Sequence, residues 1–395
     1  MGCWCAASST APPAAPGAST RRSSRKPHSP PSSSAPAAPA PTSAGTSSAP
    51  RAGHCCPAAR APGISPRSRG LSDASEPIRV FIGYVEGRTL DEAAELAIVE
   101  LERTGAFERS AIVMMTSAGT GWLSDFSVDA VEFLTGGDCA LVAMQYSYLP
   151  SAVSYLSDRD SPIESSMLLI QAIEERLARL DDDARPKFFV SGESLGGYGI
   201  AESFDHIADL LARCDGAVFS GVPGFTGMHR ALTVHRDAGS PHRLPLVDGG
   251  RHVRFVATPE HLDHDFRGED YPEPWATPRV VFAQHASDPI VYWHPRIFYR
   301  RPEWLSEPGS RGVPAPAAQH LDVFEGMRWV PFITGWQVGL DQLTSLDVPG
   351  GHGHNYHREM LSYWAAVLDD VVAFEVTEEF LDAAEAWIYD DHIDR

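Results

Sequence analysis

The sequence lacks a long apolar run and a cysteine framework, and it has almost no lysine. Without a run of about 18 apolar residues, no segment is expected to span a membrane, and no apolar signal core lies near the start. Four of the six cysteines fall within residues 1–56, and Cys139 and Cys214 lie far apart. This pattern excludes a disulfide framework and zinc-type spacing, so these cysteines are expected to be buried or free thiols.

Acidic residues are absent from residues 1–70, which carry eight basic ones. The segment is rich in Ala, Ser and Pro, so it cannot bury enough apolar surface to offset its ordering entropy. We therefore expect residues 1–75 to be a disordered tail and residues 76–395 to form the folded domain. Three interpretations of the tail stay open: a flexible stalk, an organelle transit peptide, or an artefact of an upstream start site.

All 52 acidic residues lie beyond residue 70, against 32 basic residues in the whole chain. Binding to nucleic acid requires clustered positive charge along the phosphate backbone. An acidic domain of this kind is therefore not expected to have nucleic acid as a partner.

Strand-like and helix-like segments alternate in the folded part. Apolar strands are predicted at 78–84, 111–115, 140–144, 188–190, 216–220 and 279–284, with 346–348 as a weak candidate for the last. Helices are predicted at 91–104, 128–134, 164–180 and from 197 onward. This alternation predicts an α/β fold with a doubly wound, mostly parallel sheet. A helix, not a hairpin, is expected to join the first two strands.

Two long stretches, about 223–276 and 293–335, interrupt this order and are rich in Pro, His and Trp. Long insertions of this kind are usually functional loops, so we expect them to be lid-like. Their aromatic residues indicate an apolar acyl substrate or, alternatively, packing within the lid itself. They are Tyr292, Trp293, Phe298, Tyr299, Trp329, Phe332 and Trp336.

The most informative motif is Gly192-Glu193-Ser194-Leu195-Gly196, which follows a predicted strand and precedes a predicted helix. G-x-S-x-G in this context is the nucleophile elbow of α/β-hydrolases, where a sharp turn lifts the serine hydroxyl clear of the sheet. The flanking glycines avoid clashes with neighbouring backbone. The sequence therefore predicts Ser194 as a nucleophile.

A serine nucleophile needs a base and an acid that orients the base, in the chain order Ser, Asp or Glu, His. Asp288 follows a predicted buried strand and is the candidate acid; the alternative is a turn residue before Pro289. The candidate base lies in the Gly-rich segment 350–357. We favour His352, the first His after the predicted last strand, and keep His354 as the alternative.

An oxyanion hole is expected to combine the N–H of Leu195 with one N–H from the loop after the second strand. An ordinary glycine turn is the alternative for that loop. The loop candidates are Gly119, Thr120 and Gly121, and the residues assigned to the substrate pocket are Trp122 and Tyr146.

Several longer stretches together resemble one actinobacterial α/β-hydrolase family. They are 103–107, 119–122, 144–151, 192–196, 284–289, 301–305 and 349–354. Members of that family usually carry a multi-helix membrane region before the catalytic domain and are regarded as serine hydrolases with poorly defined substrates. Here a tail stands in place of that region, so membrane attachment is not carried over. A cytoplasmic location is favoured, and the resemblance leaves peripheral membrane association open.

Two rival interpretations remain. The first is a metal-dependent hydrolase, because His352, His354 and His357 have H-x-H-x-x-H spacing and the segment 261–265 could add ligands. The second is a non-catalytic α/β-hydrolase scaffold that binds a partner. The favoured hypothesis is a serine hydrolase, carboxylesterase- or lipase-like, that acts through an acyl-enzyme on an apolar, small-molecule or lipid-like ester without metal or other cofactor. The sequence leaves the oligomeric state open.

Overall fold

A computed structural model describes residues 74–149, 154–155, 157–305, 322–323, 327–372 and 374–393. The expected disordered tail lies outside the described residues, apart from its last two positions, and stays a prediction. Ala74 is buried and the Ser75 N–H donates to the Gly136 carbonyl, so these two residues belong to the folded part. No helix in the described part of the chain is long and apolar enough to cross a membrane.

Seven parallel strands form one sheet in the order β1-β3-β2-β4-β5-β7-β6. The strands are β1 Ile78–Ile82, β2 Ala111–Thr116, β3 Cys139–Met144, β4 Lys187–Glu193, β5 Gly216–Ser220, β6 Val253–Val256 and β7 Arg279–Ala283. The predicted doubly wound α/β architecture is confirmed.

The helices are α1 Leu90–Thr104, α2 Asp125–Leu134, α3 Ser161–Leu177, α4 Leu195–Glu202, α5 Ile207–Arg213, α6 Gly227–Val234, α7 Pro289–Tyr292, α8 Ile333–Asp341, α9 Met360–Leu368 and α10 Glu378–Ile393. The predicted helix between the first two strands is confirmed as α1. Thr89 caps α1 with a capping box, and Gly105 ends it in the left-handed conformation. The two strands that α1 joins are not neighbours, because β3 lies between them and pairs with both.

Two apolar layers cover the two faces of the sheet. Successive residues of β2 alternate between them: Ile112 and Met114 face α1, α3 and α4, whereas Val113 and Met115 face α2, α9 and α10. Strands buried on both faces read as continuous apolar runs, which is why the sequence identified β2 and β3 without period-two alternation.

One predicted strand is wrong and one real strand was missed. Residues 346–348 form turns and bends and pair with no strand in the described part of the chain, and Leu346 is 52% exposed. The missed strand is β6, a four-residue edge strand inside the predicted insertion 223–276, and it pairs with β7. Both errors concern short segments whose pairing depends on the edge of the finished sheet.

The candidate site residues follow the carboxyl ends of the strands. β4 ends one residue before Ser194, β7 ends five residues before Asp288, and β2 leads into the loop 117–124. Ligand sites of open parallel sheets lie at this edge.

Candidate active site

Ser194 lies in a sharp turn between β4 and α4, with φ 55° and ψ −121°. A positive φ at a residue with a side chain is strained and is held only where the surroundings enforce it. A Cβ at Gly192 would lie 2.5 Å from the Gly196 carbonyl carbon, and one at Gly196 would overlap the Thr116 carbonyl oxygen. The glycines of the motif therefore let β2, β4 and α4 close around the strained serine.

Asp288 is completely buried and accepts three hydrogen bonds. Its Oδ1 accepts from the Ile290 N–H at 2.8 Å. Its Oδ2 lies 2.7 Å from Nδ1 of His354 and accepts the hydroxyl of Tyr356 at 2.6 Å. These bonds fix the carboxylate and orient the imidazole of His354, which is 4% exposed.

His354, and not His352, is therefore the histidine that the structure brings to Asp288. His352 is exposed, and its Nδ1 lies 3.3 Å from the Gly350 carbonyl oxygen. The sequence-based preference for His352 is corrected on this point. It followed from placing a last strand at 346–348, which does not form, so the first histidine after it had no special position.

The ring of His354 approaches the backbone beside the elbow. A Cβ at Gly221 would overlap Cε1 of the ring, and Gly221 itself has φ 57°. The preceding carbonyl, that of Ser220, accepts the Ser194 N–H at 2.9 Å. Two consecutive residues therefore link the site: Ser220 bonds Ser194, and Gly221 lies against His354. Nε2 of His354 is buried and has no hydrogen-bond partner among the described residues, so it is left for the proton of an incoming group.

The charges around His354 favour its protonated form. Burial by itself lowers the pKa of His354, but the charge and hydrogen bond of Asp288, with the charge of Glu193, raise it above 6.5 overall. Glu193 is itself buried, which raises its pKa, while His354 and a hydrogen bond from Ser220 act in the opposite direction. A base flanked by two carboxyl groups is suited to stabilising an imidazolium that forms during reaction.

A second buried histidine supports the segment that carries His354. Nδ1 of His285 lies 2.9 Å from the Gly353 carbonyl oxygen, and its Nε2 lies 3.6 Å from Glu359. The ring stacks on Tyr356 at 4.3 Å between centroids. Burial lowers the pKa of His285, but the neighbouring carboxylate of Glu359 raises it overall.

Sequence reasoning missed the supporting roles of His285, Tyr356, Glu359 and Glu193. His285 lies in the stretch 284–289 with Asp288, and Glu193 lies next to Ser194 in the elbow motif. Their nearness in sequence to predicted site residues was the one available signal. The hydrogen bonds of His285 and Tyr356 join residues 68 to 71 positions apart, and such pairs are not visible in a single sequence.

The loop after β2 is organised by Gln145. Its side-chain amide donates to the Thr120 carbonyl at 2.9 Å, and its Oε1 accepts the Tyr84 N–H at 3.1 Å. The Gly121 N–H donates to the Ala118 carbonyl at 2.8 Å. Because the backbone N–H of Gly121 is already bonded inside the loop, Gly121 is a weak candidate for an oxyanion donor. Leu195 begins α4, and the first N–H groups of a helix have no partner within it.

The two predicted pocket residues lie on opposite sides of this edge. Trp122 is half-buried and lines a small polar cavity under the elbow, together with Ser124, Ser191 and Glu193. Tyr146 is buried and packs with Leu195 and Tyr198. Both therefore adjoin the elbow.

The histidines with metal-type spacing do not converge. His354 bonds Asp288, His352 faces solvent, and His357 stacks on Phe126 with 4.0 Å between ring centroids. In the segment 261–265, His261 bonds Thr258, and Asp265 bonds Arg267. Within the described residues, no three His, Cys, Asp or Glu side chains form a group that could hold a metal ion.

The aromatic residues of the second insertion divide into two sets. Tyr292 is buried in a small apolar cluster with Ile297 and Trp304, against which Trp293 and Trp329 pack. Phe332 and Trp336 are 65% and 64% exposed. The insertion thus has its own minor core and a separate exposed apolar surface on α8.

A family model described as alpha/beta-hydrolase family matches residues 78–380, which include every candidate site residue. The chain belongs to this alpha/beta-hydrolase family. The family confirms the fold expected from the resemblance and supports hydrolase activity.

Two solved structures of acetyl xylan esterase are also similar to this alpha/beta-hydrolase. They are 15% and 14% identical, and each match covers 46% of this chain and 85% of the esterase chain with a TM-score of 0.27. At TM-scores this low, the likeness carries no argument about the present chain. None of the curated proteins matches the sequence.

Proposed function

We propose that this alpha/beta-hydrolase is a serine esterase that works through an acyl-enzyme. The observation that supports the proposal is the buried Asp288–His354 pair. The Nε2 of His354 has no hydrogen-bond partner among the described residues, and its ring lies against Gly221, next to the Ser220 carbonyl that accepts the Ser194 N–H. Acid, base and nucleophile in that relation are the parts that acyl transfer requires.

In the proposed reaction, Nε2 of His354 takes the proton from Oγ of Ser194 as the oxygen attacks the ester carbonyl. Asp288 holds Nδ1 of the ring and stabilises the imidazolium. The Leu195 N–H and one N–H of the loop after β2, with Gly119 and Thr120 as candidates, stabilise the oxyanion. His354 then protonates the leaving alcohol, and water, activated by the same imidazole, hydrolyses the acyl-enzyme.

The substrate class follows from the surroundings of the elbow. Leu195, Tyr146 and Tyr198 form an apolar cluster at its start, against which Phe225 packs. Such a surface favours an apolar acyl group, as the aromatic insertion also suggests. No step of this mechanism needs a metal or other cofactor.

The test is labelling of the full chain with a fluorophosphonate probe, which reacts with activated serines. We expect labelling of the intact protein, none of Ser194→Ala, loss of rate in His354→Gln, and near-normal labelling of His352→Gln. His352 is the matched control because it is a neighbouring, exposed histidine. A folded intact protein that is not labelled would favour the scaffold interpretation, and labelling abolished by chelators would favour a metal enzyme.

A further inference from the structure

A cleft beside the acid loop concentrates positive charge. Its walls include Arg230 of α6, His294, and three arginines that follow within eight residues: Arg296, Arg300 and Arg301. We call this feature the cationic cleft; it is open to solvent and has a cavity volume of about 300 Å³. All four arginines are exposed and therefore accessible to a ligand.

None of these four guanidinium groups forms an ion pair within the described residues. Elsewhere the chain pairs its arginines readily: Arg213 bonds Glu174 with two bonds of 2.8 Å, and Arg279 lies 3.0 Å from Asp369. Acidic residues outnumber basic ones 52 to 32, so partners are not scarce. Four arginines in one cleft that have no ion-pair partner in the described part of the chain are therefore unexpected for a surface that only needs to be solvated.

The positive potential of the cleft also acts on its own histidine. Burial lowers the pKa of His294, and the charges of Arg296 and Arg230 lower it further. Behind the wall, the buried guanidinium of Arg243 lies 4.8 Å from the ring centre of Trp304 and 5.7 Å from that of Tyr292. Glu303 is the one acidic side chain among the lining residues.

The cleft adjoins the proposed active site. Its walls include Val291 and Tyr292, which come three and four residues after Asp288. The Val291 carbonyl accepts the Gly224 N–H at 2.9 Å, and the next residue, Phe225, packs on Tyr198 of α4 with 5.9 Å between ring centroids. Aromatic walls therefore connect the arginines to the helix that starts at the elbow.

We propose that the cationic cleft binds a phosphate or carboxylate group, and that this group is carried by the ester substrate. Guanidinium groups recognise such oxyanions through paired, charge-assisted hydrogen bonds. Several arginines with aromatic walls fit a ligand with an apolar body and an anionic end. The assignment to the substrate rests on the proposed esterase function, whereas oxyanion binding does not.

The binding test uses full-length Ser194→Ala protein, so that turnover plays no part. Sodium phosphate is compared with sodium chloride at equal ionic strength, and the shift in Tm is measured. We expect a phosphate-specific rise that is weakened at least about tenfold in apparent affinity by Arg296→Gln with Arg300→Gln. Arg179→Gln with Arg251→Gln is the matched control, because it removes two exposed charges outside the cleft and should keep the rise.

Equal phosphate responses in the three proteins, or no phosphate-specific response in any of them, would overturn the anion site. The substrate assignment is tested with the para-nitrophenyl monoester of succinate against the butyrate ester, in which a methyl group replaces the carboxylate. We expect the Arg296→Gln, Arg300→Gln variant to lower the succinate-to-butyrate ratio of kcat/KM, and the control variant to keep it. If phosphate binding depends on the two arginines but the succinate-to-butyrate ratio does not, the substrate is overturned as the source of the anion, and a free oxyanion is left as the ligand.

Discussion

The elbow region and the insertion segment after Asp288 are built in opposite ways. At the elbow, Ser194 is held between glycines that admit no Cβ, and Asp288 has a partner on both oxygens. In the insertion, Phe332, Trp336 and Leu343 are 65%, 64% and 80% exposed, and one small cluster holds the segment together. The difference teaches that the proposed active site is marked by tightly held side chains and backbone, and not by the number of aromatic residues nearby.

The largest expected effect separates the two neighbouring histidines. His354→Gln should lower the rate of fluorophosphonate labelling by about 10³-fold or more, because the base that activates Ser194 is lost. His352→Gln should change it by less than about threefold, since surface substitutions away from a site are close to neutral. Equal losses in both variants would remove the distinction between a buried and an exposed histidine on which the comparison rests.

The next effect concerns the backbone of the elbow. Gly196→Ala should reduce the free energy of unfolding by about 3 kcal/mol, because its Cβ overlaps the Thr116 carbonyl and neither backbone can move freely. Gly83→Ala is the control, since a Cβ there has nothing within 4 Å, and it should stay within about 1 kcal/mol of the parent. Urea denaturation measures both. A Gly196→Ala protein as stable as Gly83→Ala would show that the elbow can relax.

A smaller effect is expected in the pH dependence. Only neutral His354 can accept the proton, and its pKa is raised above 6.5, so labelling should increase with pH through a midpoint above that value. Glu193→Gln removes one of the two negative charges that favour the imidazolium. The pKa of His354 should then fall, and the rising limb of the profile should move to lower pH. A limb that stays in place or moves upward would mean that Glu193 does not act on this histidine.

The smallest effect is expected on the exposed face of α8. Trp336→Ser should change the free energy of unfolding by less than about 0.5 kcal/mol, because that side chain is mostly in solvent. Trp364→Ser is the contrast: that residue is fully buried and its Nε1 donates to Ser127 at 2.7 Å, so a loss of about 3 kcal/mol or more is expected. Similar losses in both would mean that the α8 face is covered in solution.

Sequence reasoning reached most of the core and the sharp turn at Ser194, but not which histidine contacts Asp288. Six of the seven strands were anticipated, because each is an apolar run between helical segments. Leu195 and Asp288 also lie where motif and strand context put them. The preference for His352 over His354 depended in part on a strand at 346–348 that does not form, and the structure brings His354 to Asp288. The oxyanion donors and the substrate stay predictions.

The sequence by itself determined three features: the order of strands and helices, the glycine-flanked turn at Ser194, and the position of Asp288 after a buried strand. Each depends on residues next to one another in the chain. Only the tertiary structure decided which histidine meets Asp288, that Tyr356 and His285 brace this pair, and that four arginines share one cleft. These contacts depend on which loops meet at the carboxyl edge of the sheet, and residues far apart in a single sequence carry no local signal of that meeting.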